Sequence, residues 1–324
     1  MIPVLGLSIG ASANILERDD VQVFINNMAS QHSFDSNQLE EVFRNVRISD
    51  SVLEAISRPA EALPWYKYRP IFIRADRIRL GAEFMEEYGG LLARAEKEYG
   101  VPEEIITAVI GVETRYGGHK GGYKVIDSLA TLAFFYPKRS DFFRRELEQF
   151  LLMTREQKMD PHEVMGSYAG AMGIPQFISS SYRNYAVDFD DDGKIDIWSN
   201  PVDAIGSVAN YFRIHGWKKG KQVIVPASVK GEQYEQVLSN GLKPHIRAGE
   251  LPDHGVYARS PLKADEQVKL LEFELSDGKE YWLGLHNFYV ITRYNHSALY
   301  AMAVYQLSQE IKKHYQVKYA DKIQ

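Results

Sequence analysis

The hydrophobic period of this chain switches once along its length and then switches back, which limits what it can fold into. From Asp20 to about Tyr99 apolar residues recur at three- and four-residue steps. Val21, Phe24, Ile25 and Met28 make one stripe, and Leu39, Val42, Phe43 and Val46 make another. Around residue 221 the pattern changes: KQVIVPA, VKLLEFEL and KEYWLGL favour strands, and SDGK between the last two is a hairpin signal. HSALYAMAVYQLSQEIKKHY then returns to helix. A mainly α (α+β) fold is expected, with a β-containing unit over 221–284 inserted into a helical body.

Between these landmarks, Pro59, Pro64 and Pro70 punctuate an aromatic stretch, PWYKYRP, that predicts an extended or turn-like connection. RIRLGAEFMEEYGGLLARAEKEYG predicts a helix stopping at Gly100. Another has Pro102 in its first turn and ends near Gly117 and Gly118. DFFRRELEQFLLMTREQ is amphipathic. NPVDAIGSVANYFRIHGW carries a capping Asn200, Pro201 just inside the start and Gly216 past the end.

Composition excludes several classes of chemistry. With no cysteine among 324 residues, the chain has no disulfide, thiolate metal site or thiol nucleophile. Its net charge of −5 and lack of a basic block give no sign of nucleic acid as a partner. The nine histidines show no metal spacing, H-E-x-x-H is absent, and GGHKGGYK lacks the P-loop order. The opening MIPVLGLSIGASA resembles the later part of a secretory signal, with small residues at Ala11–Ala13, and predicts an exported, periplasmic chain. A plain buried N-terminal segment is the other reading.

One carboxylate is oddly placed. Stepping back from Glu113 by three, four and seven residues gives Ile110, Val109 and Ile106, all apolar, so the side chain points to the packed side of its helix. Partial burial disfavours the ionised form, which suits a general acid; a solvated helix end is the ordinary alternative. In GSYAGAMGIPQFISSSY, Gly170, Ala171 and Gly173 leave backbone bare for a ligand or for tight packing, with Ser167 and Gln176 as polar groups beside it. Ser167 is second in GSYAG rather than central, so this is no serine nucleophile elbow.

DFDDDGKIDIW places Asp188, Asp190 and Asp192 at alternate positions before Gly193, an oxygen-rich loop suited to Ca²⁺. Lys194 offers only its backbone carbonyl, and Ser199 stands where the closing glutamate belongs. Asp196 is a further candidate ligand or a solvent-facing residue. An acidic turn without metal remains the alternative.

Four ordered motifs, GVETRYG, GSYAGAMGIPQF, PVDAIGSVANYF and FYVITRYNHSALYAMAVYQL, make the chain resemble the lytic murein transglycosylase B family from about residue 20 to 315, least so in the β unit. The resemblance implies a lysozyme-like core over 101–220 plus 285–324, an N-terminal helical domain over 17–100 after a signal remnant or N-terminal segment at 1–16, and the β domain over 221–284. It also implies cleavage of the β-1,4 bond between N-acetylmuramic acid and N-acetylglucosamine in peptidoglycan. Glu113 then matches the catalytic acid. Ser167, Gln176, Tyr211, Tyr294, Asn295 and Tyr300 match substrate-binding residues, and Asp203 closes the Ca²⁺ loop. Phe142 stands where better-known members have tyrosine, and Ser179 where proline is usual.

The family supplies one carboxylate, whereas most glycosidases use two. The implied chemistry is substrate-assisted, and the sugar's own 6-hydroxyl closes a 1,6-anhydro ring. A muramidase-type hydrolase on the same core, or a non-catalytic peptidoglycan-binding protein, are the competing expectations. The expected partners are peptidoglycan glycan strands, for a monomer with peripheral membrane or cell-wall association, structural Ca²⁺ and no organic cofactor.

Overall fold

The computed structural model describes residues 15–58, 63–238 and 241–318. The signal-like opening therefore lies outside the described residues. Twelve α-helices are present among those described. The first six are α1 (Asp19–His32), α2 (Ser36–Arg44), α3 (Asp50–Ser57), α4 (Trp65–Phe72), α5 (Ala75–Tyr99) and α6 (Glu103–Thr114). Next come α7 (Val125–Phe135), α8 (Ser140–Glu156), α9 (Ser179–Tyr185) and α10 (Pro201–Ile214), then α11 (His286–Tyr294) and α12 (Ala298–Lys318). By density of contacts the chain divides into two units, one of residues 1–59 and 120–184, the other of 60–119 and 185–324.

In the first unit α7 packs along α8, and α3 packs on α7. The stripe Val21, Phe24, Ile25 and Met28 of α1 is buried as its spacing predicts. A two-stranded ribbon joins β1 (Tyr123–Lys124) to β2 (Met165–Gly166). The bare backbone that follows serves internal packing. A Cβ on Gly166 would lie 2.4 Å from the Ala171 carbonyl oxygen, and one on Gly170 would lie 2.6 Å from the Leu129 side chain.

In the second unit α6 lies among α5, α10 and α12. Every residue from Ile105 to Val112 is buried, so this helix is apolar all round rather than along one stripe, as a central core helix must be. The inserted unit is a five-stranded antiparallel sheet. Its strands are β3 (Ile224–Val229), β4 (Ile246–Arg247), β5 (Val256–Ala258), β6 (Gln267–Glu274) and β7 (Lys279–Gly284), in the order β4-β6-β7-β3-β5. The SDGK turn joins β6 to β7, with Gly278 at φ 86° and Leu275 N–H donating to its carbonyl.

The prolines around PWYKYRP mislead. Residues 65–72 are helix α4, with Pro64 as its cap and Pro70 inside it. Pro64 fits outside the first turn, and Pro70 removes one backbone donor late in a short helix. Packing outweighs that loss, because Trp65 is buried and its ring lies 5.4 Å from that of Phe273. The helix before Gly100 is kinked at Tyr88 (φ −109°, ψ 17°), immediately before the Gly89–Gly90 pair.

Ser179 opens α9 fully buried, and its hydroxyl has no hydrogen-bond partner among the described residues. A proline at a first helical position sacrifices no intrahelical bond and would remove the stranded hydroxyl. Ser179→Pro is expected to stabilise the fold by ~1 kcal/mol, read as a rise of about 2–4 °C in melting temperature. A lower melting temperature would show that the hydroxyl or the serine backbone geometry is needed.

Candidate active site

Glu113 sits in the last turn of α6, partly accessible while the turns before it are wholly buried. Tyr300, in the first turn of α12, donates its hydroxyl to Glu113 Oε1 at 2.5 Å. Burial is the dominant effect on the carboxyl and raises its pKa to about 7, against a smaller downward pull from the Tyr300 hydrogen bond. Because Oε1 accepts from Tyr300, the proton kept by the acid sits on Oε2. This is the electrostatic state a general acid needs near neutral pH.

An aromatic cluster surrounds this pair. The Tyr294 and Tyr300 rings are nearly parallel, 8° between planes with centroids 6.4 Å apart. Tyr211 packs 4.8 Å from Tyr294, and Phe212 packs 5.7 Å from it. Burial and then the Glu113 charge hold the phenols of Tyr294 and Tyr300 well above their usual range, so both remain hydrogen-bond donors. Tyr211 is placed differently from a free cleft tyrosine, since its hydroxyl donates to the Arg293 carbonyl at 2.5 Å. It thereby ties α10 to the residue before Tyr294–Asn295. Asn295 itself is exposed just beyond α11.

Sequence reasoning missed Tyr68. Its phenol is raised by burial and then by the charge of Glu113, so it lies within electrostatic reach of the acid. Trp65, Tyr68 and Phe72, spaced three and four apart from PWYKYRP into the two residues after it, were the available helical signal. The turn after Glu113 was also unforeseen. Arg115 (φ 53°) and Tyr116 (φ 60°) are consecutive left-handed residues just before the glycines expected to end the helix. Arg115 pairs with Asp76 at 2.5 Å, and Tyr116 Oη donates to the Arg77 carbonyl at 2.9 Å. The Tyr116 ring fills a slot that exists because Gly81 and Gly111 lack side chains; a Cβ on either would lie 2.5 Å from its hydroxyl oxygen.

Ser167, Gln176 and Phe142 belong to the other unit. The Ser167 hydroxyl accepts from Ala169 and Ala171 N–H at 3.3 and 3.0 Å, holding the turn that carries it. Gln176, left-handed at φ 52°, donates its amide to the carbonyls of Gly173 and Lys120 at 2.8 and 3.3 Å. Phe142 keeps a ring face, covered by the Arg139 guanidinium at 4.4 Å.

The acidic loop brings carboxylate oxygens of Asp188, Asp190 and Asp203 within 4.8 Å of one another. Asp203 is fully buried and accepts from Phe189 and Asp196 N–H, both at 2.7 Å. Burial, and the charges of Asp190 and Asp188, push its pKa up against the pull of those two N–H groups. A buried carboxylate converging with two others is an all-oxygen donor set that fits a hard divalent ion. Asp192 falls outside this group, accepting instead from Lys194 N–H at 2.8 Å. Asp196 is turned onto its own loop, accepting from Trp198 and Ser199 N–H.

A family model described as a transglycosylase SLT domain matches residues 17–309. The chain is 46% identical over 302 residues to membrane-bound lytic murein transglycosylase B of Escherichia coli K12, covering 90% of this chain and 82% of that one. The structure of the catenated lytic transglycosylase SltB1 from Pseudomonas aeruginosa superposes with a TM-score of 0.89 at 52% identity, covering 92% of this chain and 98% of that one. The Escherichia coli lytic transglycosylase Slt35 in complex with calcium gives 0.86 at 45% identity, covering 94% and 96%. The fold class is thus lysozyme-like.

The raised acid has a measurable cost. In the unfolded chain Glu113 ionises near its ordinary 4.5, while the folded chain holds the proton to about 7. The unfolded state gives up its proton first, so stability falls as pH rises between those values and stays lower above them. Glu113→Gln removes that penalty. Discounted for partial exposure, the variant should gain about 1–2 kcal/mol over wild type at alkaline pH, with the advantage vanishing in acid. Thermal melts across pH would read this, and identical wild-type and variant curves would contradict the burial of the carboxyl.

Proposed function

We propose, from the premise that this chain belongs to the transglycosylase SLT domain family, that it is a lytic murein transglycosylase with Glu113 as its single acid–base catalyst. The observation that supports this most is a carboxyl raised to about 7 and touched by the Tyr300 phenol, with no second carboxylate in its hydrogen bonding among the described residues. An enzyme built this way needs the substrate to provide the nucleophile. The 2-acetamido oxygen of the muramic residue attacks C1 while Glu113 Oε2 protonates the departing glycosidic oxygen. The carboxylate so formed takes the proton from the 6-hydroxyl, whose oxygen attacks C1, displaces the acetamido oxygen from it and closes the 1,6-anhydro ring, restoring the acetamido group. No water enters.

Tyr300 moderates the acid. Its hydrogen bond stabilises the carboxylate left after proton transfer, while burial keeps the carboxyl protonated beforehand. Tyr294 and Asn295 are assigned to the acetamido group, and Tyr211 supports them through the Arg293 carbonyl. Ser167, Gln176 and Phe142 are proposed as glycan-binding residues. The functional division proposed is a helical domain over 17–100, a catalytic core over 101–220 plus 285–324, and a β domain over 221–284. The chain is proposed to work as a monomer in the periplasm on cell-wall glycan strands. Among the described residues no helix is long and apolar enough to cross a membrane.

Glu113→Gln should lower release of product from purified sacculi by at least about 10²-fold, and mass spectrometry of the wild-type products should show anhydro ends. Products heavier by one water would make the chain a hydrolase, and near-normal turnover by the variant would remove Glu113 from the chemistry.

Asp188, Asp190 and Asp203, with Asp192 and the Lys194 carbonyl completing the loop, are proposed to hold Ca²⁺ as a structural ion. A bound ion would neutralise the repulsion recorded at Asp203 and fix the entry to α10. Saturating Ca²⁺ should raise the melting temperature by several degrees over chelator-treated protein, and Asp203→Asn should abolish most of the difference. An unchanged melt would mean an empty acidic turn.

A further inference from the structure

A second concave site lies outside the acid and its tyrosines. Near the start of α11 a cavity of about 450 Å³ is lined by Lys218, Lys243, Lys263 and His286, with Asp265 and Glu266 also on its wall. None of the three lysines or the two acids makes an ion pair among the described residues. Part of the wall is held firmly. Asn287, fully buried, accepts from Lys218 N–H at 2.9 Å and donates to the carbonyls of Lys218 and Lys221 at 2.9 and 3.0 Å. His286 Nε2 lies 2.7 Å from the Gly216 carbonyl oxygen, so it is the donor there. Lys218, whose backbone is fixed in this way, therefore shares the cavity wall with the exposed Lys243 and Lys263.

The charge pattern selects the ligand. A bare polyanion would meet Asp265 and Glu266 as well as the lysines, whereas a short peptide carrying several carboxylates and one amine satisfies both signs. Stem peptides of peptidoglycan have this character. The cavity is also within reach: α11 runs from His286 to Tyr294 over nine residues, or about 12 Å, and ends at the acid's aromatic cluster. An extended tripeptide spans about 10 Å. Tyr289, one turn along α11, lines the cavity and offers a ring to the peptide's aliphatic stems.

We infer that this cavity is a binding site for the zwitterionic stem peptide of a glycan strand, the lysines taking its carboxylates and Asp265 and Glu266 its amine. This rests on the glycan-cleaving function proposed above. It makes the β unit a selector for peptide-bearing strands rather than a passive insertion.

The intact protein would be titrated with the soluble tripeptide L-alanyl-γ-D-glutamyl-meso-diaminopimelate and compared with the Lys243→Gln/Lys263→Gln variant, in which two exposed side chains change. The variant should bind about tenfold more weakly, the scale of two partly exposed charge contacts. The preference of the wild type for peptide-bearing over amidase-stripped strands, read as a KM ratio, should shrink severalfold in the variant. Equal tripeptide affinity for both proteins would overturn the assignment, as would displacement of the tripeptide by inorganic phosphate at equal concentration. If the wild type cleaved no strands at all, the glycan-cleaving function would fall, while the tripeptide titration would still decide the cavity.

Discussion

The site depends on the dehydration of one carboxyl group. Helix α6 is buried on every face from Ile105 to Val112, and Glu113 is the first side chain after that run to reach the surface. A carboxylate at that boundary loses solvation that, among the described residues, the Tyr300 phenol alone replaces, so the proton stays on. The same burial that raises the acid also keeps Tyr294 and Tyr300 protonated, so the neighbourhood donates hydrogen bonds and takes up no protons. Polarity, protonation and position therefore share one cause, the packing of α5, α10 and α12 around α6.

Asp203 shows the contrasting solution to the same problem. It too is a buried carboxyl with a raised pKa, but it receives two backbone N–H groups and faces two further carboxylates. Among the described residues Glu113 has no such donors and no acidic neighbour in its hydrogen bonding. The first arrangement is suited to a cation and the second to a proton. Both are produced by burial, and the number of N–H groups and neighbouring charges separates the two outcomes.

Much of the helical body could be read from apolar spacing, because α1 buries one stripe, whereas α10, buried at every position from Asp203 to Phe212, was legible from its Asn200 cap, Pro201 and Gly216. The switch to strands near residue 221 was equally plain, since SDGK and alternation fix a hairpin without reference to anything distant. The failures share a cause: packing overrode a local signal. Prolines in PWYKYRP argued against the helix that Trp65 anchors, and with that helix Tyr68 was lost from the site. The helix was expected to end near Gly117 and Gly118, and Gly117 does take a left-handed φ of 86°, but Arg115 and Tyr116 turn the chain before it, held by Asp76, the Arg77 carbonyl and the slot at Gly81 and Gly111. Glu113 was legible because its three apolar predecessors aim it inward. Its partner Tyr300 lies 187 residues away and was found only through family resemblance.

The most direct measurement is the titration of the Glu113 carboxyl itself, followed by the carbon chemical shift of protein labelled at glutamate side chains and assigned with Glu113→Gln. A midpoint near 7 is predicted, well separated from the solvated glutamates. A midpoint near the ordinary 4.5 would contradict the account, because the group would then be ionised before any sugar arrived.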